Sequence, residues 1–231
     1  MSTEWMIDEL AYAGPEHLEP EYAAAYDRKA GFDPSEDLTA LRAAGLDQTS
    51  TLVDLGAGTG TFALAAATEL GHVVAVDISP AMVDVLGARA ADTGLANVEC
   101  VQAGFLTYER RGPPVDAVFT RNALHQVPDF WKGVALDRIA RILRPGGILR
   151  LRDLIYDFQP ADASEVLDGW LEGAVADPAL GYTRDEFIEH IRTEHSTYRW
   201  LFEPMLVAAG FEIVDVEFRR SVYGAYTCIK R

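Results

Sequence analysis

Between residues 54 and 60 the chain reads Asp54-Leu55-Gly56-Ala57-Gly58-Thr59-Gly60, three glycines in alternate positions directly after the apolar run TLVDL. Glycine has no Cβ, so such a loop turns sharply and lets a ligand approach its backbone N–H groups closely. Asp77 lies 17 positions after Gly60 and closes a second apolar run, HVVAVD. In a parallel sheet a carboxylate at that place stands beside the loop, where it accepts both ribose hydroxyls of a nucleoside. A glycine triplet alone marks only a strand-to-helix turn; loop, strand and acidic partner together indicate a nucleoside site. The dinucleotide fingerprint is G-x-G-x-x-G, whereas here the spacing is G-x-G-x-G with Thr61 in the next position. No lysine follows, so the loop is not a phosphate-cradling P-loop, and the spacing favours a ligand without a pyrophosphate.

A second group of chemically able residues follows two later apolar runs: Thr120-Arg121-Asn122-Ala123-Leu124-His125 after VDAVFT, and Arg152-Asp153 at the end of GGILRLRD. Ligands of parallel α/β sheets sit beyond the C-terminal strand ends, which puts both stretches on the active side. His125 is a candidate general base, because imidazole is the side chain most easily deprotonated near neutrality. The alternative is that it packs against the cofactor or a helix cap as a structural residue. Arg121 and Arg152 are candidates to grip an anionic acceptor through two parallel hydrogen bonds; the alternative is internal pairing with Asp153 or Asp129. The late segment EHSTYRW gathers Glu194, His195, Ser196, Tyr198 and Trp200 within seven residues. It reads either as an acceptor-pocket wall or as a helix start capped by Ser196 or Thr197 with Trp200 in the core. No acidic cluster suits Mg²⁺, and the five histidines make no zinc spacing, so no metal is expected. Cys100 and Cys228 lie in apolar alternating runs and read as reduced core cysteines.

The elements that must position these residues are legible as periodicity. TLVDL, HVVAVD, NVECV, VDAVFT and GGILRLRD are short, nearly continuous apolar runs, the mark of strands covered on both faces. Helical patterns separate them. One opens with Ser79 as N-cap and Pro80 at the first helical position, and another, DFWKGVALDRIARIL, is stopped by Arg144-Pro145-Gly146-Gly147. After residue 154 the alternation gives way to ASEVLDGWLEGAVAD, TRDEFIEHIRTEH and TYRWLFEPMLVAAG, which read as helices. FEIVDVEFRR and VYGAYTCIKR then alternate with period two, as a terminal strand pair facing water on one side. The expected organisation is one α/β domain over 1–231, with a polar N-terminal helical lid (1–48) and a core (49–155). A helical insertion (156–209) and a terminal strand pair (210–231) complete it.

Taken in order, these motifs resemble the class I S-adenosylmethionine-dependent methyltransferases. VDLGAGTG resembles their first motif, VVAVDISPAMV the second, NVECVQAGFLTY the third, VDAVFTRNALHQV the fourth, and LRPGGILRLRD the approach to the fifth strand. The match covers about residues 51 to 155. The resemblance implies a Rossmann-like, seven-stranded, mostly parallel sheet with a reversed last strand and helices on both faces. It implies S-adenosylmethionine as cofactor and S-adenosylhomocysteine as product, held by Asp54, Gly56, Ala57, Gly58, Gly60 and Asp77. Ile78, Met82, Gly104 and Phe105 would surround the adenine, with Arg121 and Tyr26 completing the site. Tyr22, Tyr26 and Asp27 resemble the N-terminal segment that such enzymes fold over the cofactor. One departure stands out: many members carry an acidic residue where this chain has Gly104-Phe105. Asn-Pro-Pro-Tyr, the fourth-motif form of enzymes that methylate amines of bases, is absent.

Composition narrows the partners. Thirty-six Asp and Glu against 20 Lys and Arg give a net charge of −16, which repels phosphate backbones and anionic headgroups. No apolar run is long enough to span a bilayer, and the acidic N-terminus lacks the order of a signal peptide. The expected protein is therefore cytoplasmic and binds neither nucleic acid nor membrane. Its expected acceptor is a small molecule, with an anionic group the natural partner of Arg121 and Arg152. Two other classes remain open: a cofactor-binding regulatory or scaffold protein without catalysis, and a dinucleotide-dependent dehydrogenase.

Overall fold

A computed structural model of the chain describes residues 4–19, 22–23, 26–27 and 30–231. The strands are β1 (Thr51–Leu55), β2 (His72–Asp77), β3 (Val98–Gln102), β4 (Val115–Arg121), β5 (Leu143–Tyr156), β6 (Thr197–Tyr198), β7 (Phe211–Arg219) and β8 (Tyr223–Lys230). They form one sheet in the order β3-β2-β1-β4-β5-β8-β7, with the two-residue β6 beside the end of β5. β1 to β5 run parallel, and β8 runs antiparallel to both its neighbours. The helices are α1 (Ser35–Ala43), α2 (Thr61–Ala67), α3 (Pro80–Thr93), α4 (Asp129–Ile142), α5 (Ala163–Leu171), α6 (Arg184–Thr193) and α7 (Arg199–Ala208). This is the expected Rossmann-like sheet with its reversed last strand.

The alternating sides of each strand make two cores. Val53, Val74, Val76, Val118 and Leu149 face Trp131 and Leu136 of α4 and Phe202 and Leu206 of α7. Their neighbours Leu52, Val73, Ala75 and Ala117 face the opposite way, toward Leu38 of α1, Phe62 of α2 and Leu86 of α3. Each such aliphatic side chain contributes roughly 1.5–3 kcal/mol by leaving water. Phe62 stacks on Phe119 with ring centroids 3.6 Å apart, fixing α2 over β4.

Local chemistry sets the helix ends. The Ser79 hydroxyl accepts the Met82 N–H at 3.2 Å, Pro80 begins α3, and Gly94 ends it at φ +67°. Thr183 and Glu186 cap α6 reciprocally.

Two expectations change. β8 does not alternate as a half-exposed strand: Gly224, Ala225, Tyr226 and Cys228 are all buried, because it lies between β5 and β7 with α7 above it. The edge strand β7 keeps the mixed pattern. In the EHSTYRW segment Thr197 and Tyr198 form β6, and α7 has no side-chain cap. Trp200 is not core; it is half exposed and stacks on Tyr198. Of the N-terminal segment, the structure shows 3-10 turns at Glu9–Tyr12 and Pro15–Leu18. Part of the helical lid expected over 1–48 falls outside the described residues.

Candidate functional site

The glycine loop folds as the spacing requires. The Gly56 and Ala57 N–H groups donate to the Val76 carbonyl at 2.8 and 2.9 Å, which closes the loop onto the end of β2. Gly56 (φ +75°) and Gly60 (φ +85°) are left-handed, and added Cβ atoms would lie 2.4 Å from Ala123 Cβ and 2.1 Å from Leu86 Cδ1. Both the backbone conformation and the approach of neighbouring elements therefore demand glycine. At the end of β2, Asp77 Oδ2 accepts the Gly58 N–H at 2.7 Å and Oδ1 accepts the Ser79 N–H at 2.9 Å. Burial pushes the Asp77 carboxyl up, against the lowering effect of N–H groups from Ser79, Gly58 and Ile78.

Two cavities adjoin at this loop and share Tyr26, Gly56, Gly58 and Arg121 in their walls. The first, of about 730 Å³, is bordered by Asp77, Ile78, Met82, Gly104 and Phe105. The second, of about 600 Å³, is bordered by Asp54, Ala57, Thr59 and Thr61. Asp54 is buried, its Oδ2 has no hydrogen-bond partner among the described residues, and burial raises its carboxyl well above the usual range. Thr61 Oγ1 is likewise unpartnered. A buried carboxylate oxygen and a hydroxyl left open beside one cavity suit a cationic donor such as an α-ammonium. Carboxylate, hydroxyl and glycine backbone thus match an amino-acid end in one cavity, and Asp77 matches a ribose in the other. The residues fit an S-adenosyl amino acid.

The N-terminal segment is tied to the same walls. Ser79 Oγ donates to the His17 carbonyl at 2.7 Å, and Thr59 Oγ1 and Arg89 both donate to Asp27. The Glu9 carboxylate accepts the Leu106 N–H at 2.9 Å. Tyr26 borders both cavities.

Beyond β4 and β5 the candidate acceptor residues separate. Arg121 borders both cavities, its guanidinium 4.0 Å over the Phe32 ring. Among the described residues no carboxylate lies within ion-pair distance of it. Arg152 does not reach the crevice: it donates to Asp37 at 2.9 Å and to Glu36 at 3.0 Å, on the first turn of α1. It is paired internally, with Asp37 and Glu36 rather than with Asp153 or Asp129.

His125 borders neither cavity and is buried, with both ring nitrogens engaged. Nδ1 bonds Asp153, whose other oxygen accepts the Leu124 N–H at 2.8 Å, and Nε2 lies 2.9 Å from Glu194. Glu194 also pairs with His190 and accepts from Gln126 at 3.0 Å. Burial alone pushes the His125 imidazolium down, but the charge of Asp153 and its bond, together with Glu194, raise it to about 10. Such an imidazole is a buried cation at neutral pH and is ill suited to accept a proton. The ligand-type atoms of His125, His190 and Glu194 lie within 4.8 Å of one another, a proximity that chain spacing concealed. Their mutual bonds make this an ion network that pins α6 to the core. Within the 194–200 segment, Glu194 faces this network, whereas Trp200 borders a separate surface hollow with Tyr156 and Arg199.

Sequence reasoning missed Glu9, Asp37 and His190. The one available signal was Gly104, a missing side chain in the wall of the first cavity.

The comparisons agree with the geometry. The profile of a family described as a methyltransferase domain matches residues 52–147. A demethylmenaquinone methyltransferase of Clavibacter sepedonicus is 30% identical over 212 residues, covering 84% of this chain and 81% of that protein. A ubiquinone biosynthesis O-methyltransferase of Xylella fastidiosa is 30% identical over 124 residues, half of each chain. Among solved structures, magnesium protoporphyrin IX methyltransferase of Synechocystis PCC 6803, with bound SAM, matches with a TM-score of 0.67 at 14% identity. It covers 99% of this chain and 100% of its own. A SAM-dependent methyltransferase of Aquifex aeolicus matches with a TM-score of 0.64 at 19% identity, over 92% and 99%.

Proposed function

The chain belongs to the class I S-adenosylmethionine-dependent methyltransferases, and from that premise we propose that it methylates a small-molecule acceptor at the junction of the two cavities. The observation that carries this reading is the pair of adjoining cavities with the unpartnered Asp54 oxygen in one, Asp77 in the other, and Arg121 in both. Asp77 accepts the ribose hydroxyls, and Asp54 and Thr61 receive the ammonium of the amino-acid end. Gly56 and Gly58 bring backbone against the cofactor between these ends. The sulfonium supplies a methyl group already activated toward nucleophiles. What the protein must add is alignment of an acceptor lone pair with that methyl and exclusion of water. Arg121 stands at the junction as a cation with no carboxylate partner among the described residues, so it holds an anionic group of the acceptor. His125, protonated and turned into its own network, is not the base; an acceptor that carries a proton gives it to solvent. The relatives named for quinone biosynthesis and the porphyrin enzyme support a small-molecule acceptor. The net charge of −16 speaks against nucleic acid.

Thermal unfolding with added ligands tests the site. S-adenosylhomocysteine at a hundredfold excess over Kd is expected to stabilise the protein by about 2.7 kcal/mol, and NAD not at all. Absence of a shift with either sulfur nucleoside, or an equal shift with NAD, would refute the cofactor site as drawn.

A further inference from the structure

Glu9 is an anomaly as a surface-segment residue. It sits in the N-terminal turn, yet it is only 6% exposed, and its carboxylate lies in the wall of the first cavity. Burying a carboxylate there costs free energy, and only part of its acceptor capacity is met by the chain. Oε2 accepts the Leu106 N–H at 2.9 Å and lies 3.5 Å from the Thr107 hydroxyl, and the Phe105 N–H also favours the carboxylate. Its position is more telling than its burial. A Cβ built on Gly104 would fall 2.5 Å from Glu9 Oε2 and 2.6 Å from Oε1 and Cδ. The Glu9 carboxylate therefore fills the space that a side chain at position 104 would occupy, brought there from 95 residues upstream. Among the described residues, Glu9 and Asp77 are the carboxylates that border this cavity.

We propose that Glu9 reads the base of the cofactor, its carboxylate accepting the exocyclic amine of adenine at the end of the cavity formed by Gly104 and Phe105. This rests on the cofactor placement proposed above. Asp77 holds the ribose at the end of β2; the base then extends toward the residues after β3, where Ile78 and Phe105 offer apolar contact and Glu9 the polar one. A carboxylate discriminates there, because it accepts from a 6-amino group and repels the 6-oxo oxygen of hypoxanthine. Gly104 has no left-handed φ, so its lack of a side chain follows from the room Glu9 takes up rather than from backbone strain.

The test is calorimetric binding of S-adenosylhomocysteine and S-inosylhomocysteine, which differ at the 6-substituent and in the N1 proton that accompanies the 6-oxo form. The parent protein is expected to prefer the adenosine form at least tenfold. Glu9→Ala is expected to lose about tenfold in affinity for it and most of the preference. Gly104→Asp should impair binding in the parent, where it collides with Glu9, yet restore the preference in the Glu9→Ala background. A purely structural Glu9 would produce neither the lost discrimination nor that reversal. If Glu9→Ala does not fold, Glu9→Gln serves instead, since an amide presents an acceptor to one base and a donor to the other. A folded Glu9→Ala or Glu9→Gln protein with undiminished preference would overturn the proposal. A parent protein that binds neither nucleoside would instead sink the cofactor site itself.

Discussion

Asp54 and Asp77 end neighbouring strands and are both buried, but their surroundings give them different tasks. Burial raises both carboxyls; Asp77 is supported by three backbone N–H groups, whereas Asp54 has none and feels the charge of Asp77 as well. A carboxylate with such support is less penalised as the anion and can orient hydroxyls; one without it gains most from a cationic donor. His125 shows the opposite solution, a buried charge fully paired. Its imidazolium is raised to about 10 from an ordinary 6.5, so its stabilisation is complete below about pH 6.5 and is lost as pH rises through 10. Asp153 and Glu194 are depressed, despite burial, by His125 and, for Glu194, by His190 too. Their share is present above the ordinary carboxylate range and is lost as pH falls below it. His125→Gln is therefore expected to cost about 3–5 kcal/mol in urea unfolding near pH 6, with the gap to the parent narrowing toward pH 10. Turnover per folded molecule should fall no more than a few-fold, and a hundredfold loss would return His125 to the role of base.

At the scale of elements, what was legible in the sequence was what short-range chemistry decides. The apolar runs of β1 and β2, the Ser79–Pro80 start of α3 and the glycine loop each depend on residues a few positions apart, so they read correctly. Long-range partners were not legible. Arg152 and Asp37 are 115 positions apart, His125 and Glu194 are 69 apart, and nothing in the spacing joins them. α1 illustrates the consequence. Its first turn carries Glu36 and Asp37, which suits the helix dipole, and the same two residues clamp β5. Asp37 accepts from Arg150 at 2.8 Å and Arg152 at 2.9 Å, with Arg150 and Asp37 almost wholly buried, while Glu36 holds Arg152 and Arg219. Removing Asp37 leaves the buried Arg150 guanidinium with only the Thr227 hydroxyl and Arg152 with only Glu36. Asp37→Ala is expected to destabilise by about 3–5 kcal/mol and lower the melting temperature by on the order of 10 °C. Since the clamp lies outside the cofactor cavities, S-adenosylhomocysteine affinity at low temperature should hold within about twofold. A melting temperature within 2 °C of the parent's, in scanning calorimetry, would show that the clamp carries no stability.

For the whole molecule, the two cavities are not finished by the sheet alone. Glu9 reaches Leu106, the His17 carbonyl receives Ser79, and Asp27 binds Thr59 and Arg89, so the N-terminal segment is fastened to the walls after β1, β2 and β3. Little of this segment is anchored in the two large cores, since Met6 and Ile7 are only partly buried against one of them. A segment held by a few polar ties, the stack of Trp5 on Trp131 and a small apolar cluster of Ala23 with Ala81 and Met82 opens at a lower free energy than the strands beneath it. Ligand and segment are then linked: if the cofactor binds well only when the segment is closed, each cofactor bound must also hold the segment closed. The linkage has a definite size. With S-adenosylhomocysteine at a hundred times its Kd, opening of the segment becomes about a hundredfold rarer, equivalent to the same 2.7 kcal/mol. Hydrogen exchange followed by mass spectrometry should therefore slow by up to that factor in peptides spanning residues 4–19. Peptides from β7, remote from both cavities, should change only as far as global unfolding sets their exchange. Unaltered exchange over 4–19 in a protein shown to bind the nucleoside would mean that the segment lies against the site without closing it.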